Sequence, residues 1–399
     1  MDMLKRMQKA NINQNEIPLL GLDIGGVTVK VTFFDHDSVS TGKQQENHLK
    51  LKVFLNETLN EYCVNTSVNN QLKIKSTTGK VQFYLFTREC FNEKFLEQLI
   101  GLKLNEPFIC LTGAALVNYM NVFINDLKSR IIILSSENEG IIRGIRLLQL
   151  QTVSSFYRID ESNAIYNTEL LSQKDFYPSI IAIIGTSTTY LRLNSPKSYT
   201  FLHQSAISGQ TFMGLVNTTS KMSGKPNKNF TECLNLALDG SNEKLDVTLK
   251  KFCGGINQKV EQFLYLHKSE TGLYAREDDY IKEYGNLSIS CFGDCNSNTN
   301  EKEILLNDFA SSSMNLVCYQ IAEMLCLFSK LNSSHKHTLC TGSFLINNMQ
   351  AKQLINKYFH IFKRDSSKKV HFIDYEASLA ALGCLAVDEN NCVVDADDQ

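Results

Sequence analysis

Short, nearly unbroken apolar runs alternate along the chain with longer stretches whose apolar residues recur at helical spacing, so strand and helix signals are interleaved throughout. Leu19 to Ile24 and Val29 to Phe34 flank the turn Gly25-Gly26-Val27-Thr28 and predict a β-hairpin. Ser179 to Leu193 repeats the plan, with a buried strand, Gly185, a hydroxyl-rich turn and a second strand. Two such units, each followed by more strand and helix signals, predict an α/β fold of two related halves facing each other across a cleft.

Between and after the hairpins the pattern predicts further elements. Leu49 to Leu55 begins as an alternation of apolar and charged residues and predicts a half-buried strand. Val81 to Phe86 predicts another strand, Glu93 to Leu102 a short amphipathic helix, and Phe108 to Leu111 a buried strand ending at Thr112-Gly113, with a helix from about Ala114. Ile131 to Leu134 is a strand that delivers Glu137 and Glu139 to the start of a helix, which Ser136 is placed to cap. Later come a strand near Phe201 to Ile207, a helix starting over Gly209 to Val216, and a helix over Phe230 to Ala237 that Gly240 stops. A long helix spans Asp308 to Ser329, with Met314, Val317, Ile321 and Leu325 as core or dimer contacts. His337 to Ser343 is a strand running into a glycine turn, Val370 to Ile373 the last strand and Glu376 to Val387 the last helix.

The expected domain plan is a flexible tail over 1–17, an N-terminal lobe over 18–174, a C-terminal lobe over 175–387 and an acidic tail over 388–399. Composition supports a folded chain: of 399 residues, 43% are hydrophobic and 21% charged, which excludes a disordered class. A net charge of −2 argues against a surface for nucleic acid or anionic membrane. No apolar run has the length of a signal core or a membrane span, so the expected location is cytoplasmic. The 12 cysteines are scattered and read as reduced core residues. Cys291 with Cys295, and His335, His337 with Cys340, fall short of the four-ligand spacing of a zinc site.

The candidate chemistry sits in the turns. Glycine lets a backbone approach a polyanion without a Cβ clash, and amides freed at a turn can point at phosphate oxygens. Asp23, at the end of a buried strand, is placed to hold a divalent metal, and Mg²⁺ takes only one or two carboxylates. An ordinary glycine hairpin remains the alternative. Glu137 and Glu139 are also what a helix N-terminus favours, and Gly185 and Gly342 are also plain tight-turn residues.

The order of motifs resembles the eukaryotic-type (type II) pantothenate kinases from Gly21 to Leu385. The matching pieces are Gly21-Leu22-Asp23-Ile24-Gly25-Gly26 with Lys30, Thr112-Gly113, Glu137 before Ile141-Ile142-Arg143-Gly144, Gly185 with its hydroxyls, and Thr211-Phe212-Met213-Gly214-Leu215. Phe230 to Gly240, Cys291-Phe292-Gly293, Gly342-Ser343-Phe344-Leu345 and Glu376 to Leu385 complete the set. The resemblance implies a duplicated actin/hexokinase-like (ribonuclease H-like) ATPase fold with two lobes around a nucleotide cleft. It implies ATP-dependent, Mg²⁺-assisted phosphorylation of pantothenate, in a dimer inhibited by coenzyme A or acetyl-coenzyme A. Residue by residue, Asp23, Gly25, Gly26 and Lys30 would serve metal and phosphates, and Gly185 and Gly342 the nucleotide. Thr186 and Thr189 would meet the acceptor, and Glu137 would be the general base. The chain departs from the family where Phe201 replaces an arginine that grips the acceptor, and where Val27, Ser187, Ala114 and Ala115 replace other motif residues. Phe201 also opens a different expectation, a non-catalytic or half-competent subunit paired with an active relative. A sugar kinase of the same superfamily is a third.

Overall fold

The computed structural model describes residues 18–36, 43–62, 71–73, 79–89, 91–104, 107–120, 122–127, 129–134, 136–149, 155–159, 165–167, 176–254, 284–294, 304–363, 369–375 and 377–386. These divide into two compact units, one within Met1–Ser155 and Tyr375–Gln399, the other within Phe156–Asp374. The boundary expected at 174/175 therefore lies at Ser155/Phe156. The C-terminal segment from Tyr375 belongs to the first unit, because its helix packs chiefly on the helix over Glu137–Gln149 and also touches that unit's first strands. The expected tails fall outside the described residues.

In the first unit β1 (Leu20–Ile24) and β2 (Thr28–His36) form the predicted hairpin, extended by β3 (Gln71–Lys73) and β4 (Gly79–Thr87). On the other side of β1 lie β5 (Phe108–Thr112) and β6 (Arg130–Ile133), both parallel to their neighbours, giving the order β3-β4-β2-β1-β5-β6. All five residues of β1 are buried, as expected of a central strand covered on both faces. The helices are α1 (Lys43–Tyr62), α2 (Glu93–Gly101) and α3 (Glu137–Gln149). Asn92 caps α2 by accepting from the Phe95 amide at 3.1 Å.

The strand expected at Leu49 to Leu55 is instead part of α1. The residues buried there are Asn47, His48, Leu51, Phe54 and Leu55, a three-and-four spacing that lays one helical face on the sheet. Leu49 and Val53, which made the alternation look like a strand, are 61% and 47% exposed. The helix expected from Ala114 is reduced to a 3-10 turn over Leu116–Tyr119 and a π turn over Val122–Asp126.

The second unit repeats this wiring. β9 (Ser179–Ile184) and β10 (Thr188–Ser195) are antiparallel, β11 (Ser198–Ser205) extends β10, and β14 (His337–Thr341) and β15 (Val370–Ile373) add in parallel beyond β9. β7 (Phe156–Ile159) and β8 (Ile165–Asn167) complete the order β11-β10-β9-β14-β15-β7-β8. A small pair, β12 (Val247–Thr248) and β13 (Ser288–Ser290), stands apart from that sheet. The helices are α4 (Gly209–Met222), α5 (Phe230–Asp239), α6 (Leu249–Gly254), α7 (Leu306–Leu331) and α8 (Met349–Lys363). Asn229 and Glu232 form a reciprocal capping box on α5, and Gly240 ends it. Met314, Val317, Ile321 and Leu325 of α7 are fully buried in this unit's own core.

An antiparallel hairpin followed by two parallel strands thus occurs twice, which is the duplicated actin/hexokinase-like α/β plan. The first unit is closed by α9 (Leu379–Gly383), shorter than the helix expected over 376–387, whose first and last residues lie outside the described set. Among the described residues no helix is long and apolar enough to cross a membrane.

Candidate active site

The β1–β2 register sets Asp23 opposite Lys30, so both side chains leave the sheet on one face. Lys30 Nζ donates to Asp23 Oδ2 at 2.8 Å, with both groups nearly out of solvent. The turn that follows uses the Gly25 amide itself, which donates to Thr28 O at 3.0 Å. The expectation of freed amides at the tip is therefore corrected for Gly25. Gly26 stands open, with no atom within 4 Å of where a Cβ would be.

Glu137 is the first residue of α3 and is half-buried. The Asp23 charge, and after it burial, push its carboxyl up to about 7 against the opposing pull of Lys30. A carboxylate that merely complements a helix N-terminus would be shifted the other way. Burial works to lower the Lys30 ammonium, yet Asp23 and Glu137 together outweigh it and raise Lys30 above its ordinary value. Asp23, Lys30 and Glu137 therefore form one electrostatic unit. Ser136 caps α3 as expected, its hydroxyl accepting from the Glu139 amide at 3.2 Å. Glu139 is paired with Arg143 one turn along.

Backbone contacts hold this arrangement. Gly140 and Gly144 of α3 lie against α9: a Cβ on Gly144 would stand 2.2 Å from Leu379 O, and one on Gly383 would stand 1.8 Å from Gly140 O. The same short helix touches β1 and β2, since a Cβ on Gly21 would meet Ala381 O at 2.3 Å and Thr32 Oγ1 donates to Ala381 O at 2.7 Å. α9 thus braces the strand of Asp23 and the helix of Glu137 at once.

In the second unit the β9–β10 turn is built the same way, the Gly185 amide donating to Ser187 O at 3.0 Å. Thr186 is exposed and its carbonyl accepts from the Ser208 hydroxyl; Thr189 is half-buried on β10, opposite Gln204. Gly342 has φ +118°, and a Cβ there would stand 2.2 Å from Ile184 O. Gly342 and Gly185 are thereby brought together. Phe201 is 54% exposed on β11, across from Leu191.

Sequence reasoning gave no role to Gly113, which does for the first hairpin what Gly342 does for the second. Its φ is +104°, and a Cβ would meet Ile24 N and O at 2.5 Å, just before Gly25. The signal was in the chain: Thr112-Gly113 and Thr341-Gly342 are the same dipeptide at the same place in each half.

The sequence pattern of the family described as Fumble matches residues 19–387. The chain belongs to the Fumble family. That family is related to the type II pantothenate kinases, as the order of motifs implied. Among curated proteins, this Fumble chain is 24% identical over 209 residues to the 4'-phosphopantetheine phosphatase of Mus musculus, a match spanning 52% of this chain but only 22% of that protein. Among solved structures, the glucokinase of Balamuthia mandrillaris in complex with glucose aligns over 96% of this chain and 97% of its own at 11% identity, with a TM-score of 0.36. Component A of the Acidaminococcus fermentans (R)-2-hydroxyglutaryl-CoA dehydratase aligns over 93% and 97% at 10% identity, with a TM-score of 0.40.

Lys30 is the cation on which the acidic pair of this Fumble chain depends. Lys30→Met should cost about 3 to 5 kcal/mol, the loss expected when one partner of a buried ion pair is removed. The loss should be larger at pH 8, where Glu137 is also ionised, than at pH 5.5, where it keeps its proton. Urea denaturation at the two pH values measures both numbers. Equal losses would mean that Lys30 does not act on Glu137.

Proposed function

We propose that the chain catalyses ATP-dependent phosphorylation of pantothenate to 4′-phosphopantothenate, the first step of coenzyme A biosynthesis. The observation that carries this is Glu137, a half-buried carboxyl raised to about 7 by the Asp23 charge and by burial, against the pull of Lys30. A general base is most effective with a pKa close to the working pH. Membership of the Fumble family supports the phosphotransferase class, and the mouse relative, named for an activity on a pantothenate derivative, supports the acceptor class.

In this reading Glu137 accepts the proton of the acceptor hydroxyl while that oxygen bonds to the γ-phosphorus of ATP and the bond to ADP breaks. Lys30 keeps positive charge beside the reacting groups and Asp23 fixes Lys30 in place. Gly25 and Gly26 border the phosphates, Gly185 and Gly342 the nucleotide, and Thr186 and Thr189 offer hydroxyls to the acceptor. A divalent cation fits the donor set. Asp23 Oδ1 is buried and has no hydrogen-bond partner among the described residues, and oxygen ligands with few carboxylates suit Mg²⁺. Asp23 would hold it, and when bound it would neutralise charge developing on the phosphate oxygens.

The test is formation of 4′-phosphopantothenate by purified protein with MgATP, with glucose and related sugars as competing acceptors. Product from pantothenate and not from sugars is expected; phosphorylation of a sugar alone would replace pantothenate as acceptor. Phe201 favours a second reading, a half-competent subunit, because an exposed phenyl ring offers no charged fork to a carboxylate. Turnover that begins only when a related subunit is mixed in would select it. The same assay with coenzyme A and acetyl-coenzyme A added tests the proposed inhibition, and the mass of the active species in solution distinguishes homodimer from mixed dimer.

A further inference from the structure

The first unit leaves two buried oxygens unpartnered in neighbouring positions. Asp23 and Thr112 are register partners on the parallel strands β1 and β5, so their side chains leave the sheet on the same face from Cα atoms about 5 Å apart. Each residue is 1% exposed. Lys30 takes Asp23 Oδ2, while Asp23 Oδ1 and Thr112 Oγ1 have no hydrogen-bond partner among the described residues. A hydroxyl can donate and a carboxylate can accept, yet these two do not bond each other. Folded proteins seldom leave a buried carboxylate oxygen in that state, so a third atom belongs beside them. Gly113 keeps the space clear, since a Cβ there would stand 2.7 Å from Asp23 Oδ1.

We propose that Asp23 Oδ1 and Thr112 Oγ1 are joint ligands of one divalent cation, with Mg²⁺ as the ion used. One carboxylate and one hydroxyl leave the remaining positions to water and substrate phosphate, the manner in which Mg²⁺ is usually held. The site's part in phosphoryl transfer rests on the kinase reading above; its existence does not. The duplicated scaffold supplies an internal contrast. Thr341 follows the same strand in the second unit, but its register partner, in the place of Asp23, is Ile183. A hydroxyl beside an isoleucine holds no cation, so one site per chain is expected.

The experiment uses Mn²⁺ as the probe, titrated into the full chain and followed by the electron-paramagnetic signal of the free ion, without nucleotide and with ADP. One Mn²⁺ per chain, displaced by Mg²⁺, is expected in at least one of these conditions. Thr112→Val keeps the shape and removes the hydroxyl, and should weaken Mn²⁺ binding by about 10- to 100-fold. Thr112→Ser should restore most of it, Asp23→Asn should lose it, and Thr341→Val should leave it unchanged. The urea midpoint of Thr112→Val should equal or exceed that of wild type, since an unpartnered buried hydroxyl has been removed. Wild-type affinity in Thr112→Val, or no Mn²⁺ bound by wild type in either condition, overturns the proposal. Thr112-dependent Mn²⁺ binding in a protein that makes no 4′-phosphopantothenate would leave the cation site standing and remove the kinase reading. Turnover with undiminished Mn²⁺ binding in Thr112→Val would do the reverse.

Discussion

Glu137→Gln should lower turnover by about 10²- to 10⁴-fold, the range expected when a general base is removed, and should at the same time make the protein more stable. Both effects come from one cause. In the folded chain the Asp23 charge and burial raise the Glu137 carboxyl from its ordinary 4.5 to about 7. Below pH 4.5 the folded and unfolded chains both keep this proton, and the group has no net effect on stability. Between pH 4.5 and 7 the unfolded chain releases it while the folded chain retains it, so stability falls as pH rises. Above pH 7 the folded chain must ionise Glu137 beside Asp23, a penalty on the order of 3 kcal/mol for a carboxyl raised from 4.5 to about 7. Glutamine never ionises and escapes that penalty. The variant should therefore melt several degrees above wild type at pH 8 and close to it at pH 4.5. In the metal-free wild-type chain an NMR titration of the Glu137 carboxyl should give a midpoint near 7. A stability difference that does not change with pH, or unchanged turnover in Glu137→Gln, would remove the assignment.

The two hairpins were legible because each couples short apolar runs to a glycine turn, and the helices at Glu93 and Phe230 because their apolar residues recur at helical spacing, with Gly240 as a stop signal after the second. The misreading at Leu49 to Leu55 came from weighing every apolar residue alike. Leu51, Phe54 and Leu55 already have helical spacing, which Asn47 and His48 extend one turn back, but the exposed Leu49 and Val53 gave the run the alternation of a strand. Lys30 facing Asp23 follows from hairpin register alone, and so was within reach of the sequence. The electrostatic contact of Glu137 with that pair was not, because it depends on where α3 sits relative to β1. The brace that sets this position joins Gly140 and Gly144 to Leu379, Ala380 and Gly383, segments far apart in the chain whose close approach leaves no local signature beyond glycine itself.

Gly144→Ala should break that brace. Within a helix an alanine would ordinarily stabilise by about 1 kcal/mol relative to glycine, so any loss of stability must come from tertiary contact. Here the added Cβ would stand 2.2 Å from Leu379 O and 3.0 Å from Leu379 C, both backbone atoms that cannot rotate away. α9 would have to move off α3, and the contacts it makes with Gly21 and Thr32 on the first two strands would move with it. A destabilisation of about 3 kcal/mol is expected, at the upper end for forcing extra volume into a packed contact. Gly26→Ala is the matching control for stability alone: its Cβ would enter open space, and a change within about 0.5 kcal/mol is expected. The functional consequence is specific. As α3 separates from β1, Glu137 loses the Asp23 charge that raises it, and the NMR midpoint of its carboxyl in the metal-free chain should move from about 7 towards the ordinary carboxylate range. A Gly144→Ala protein that is destabilised but keeps that midpoint at 7 would show that α9 holds the unit together without setting the distance between base and acid.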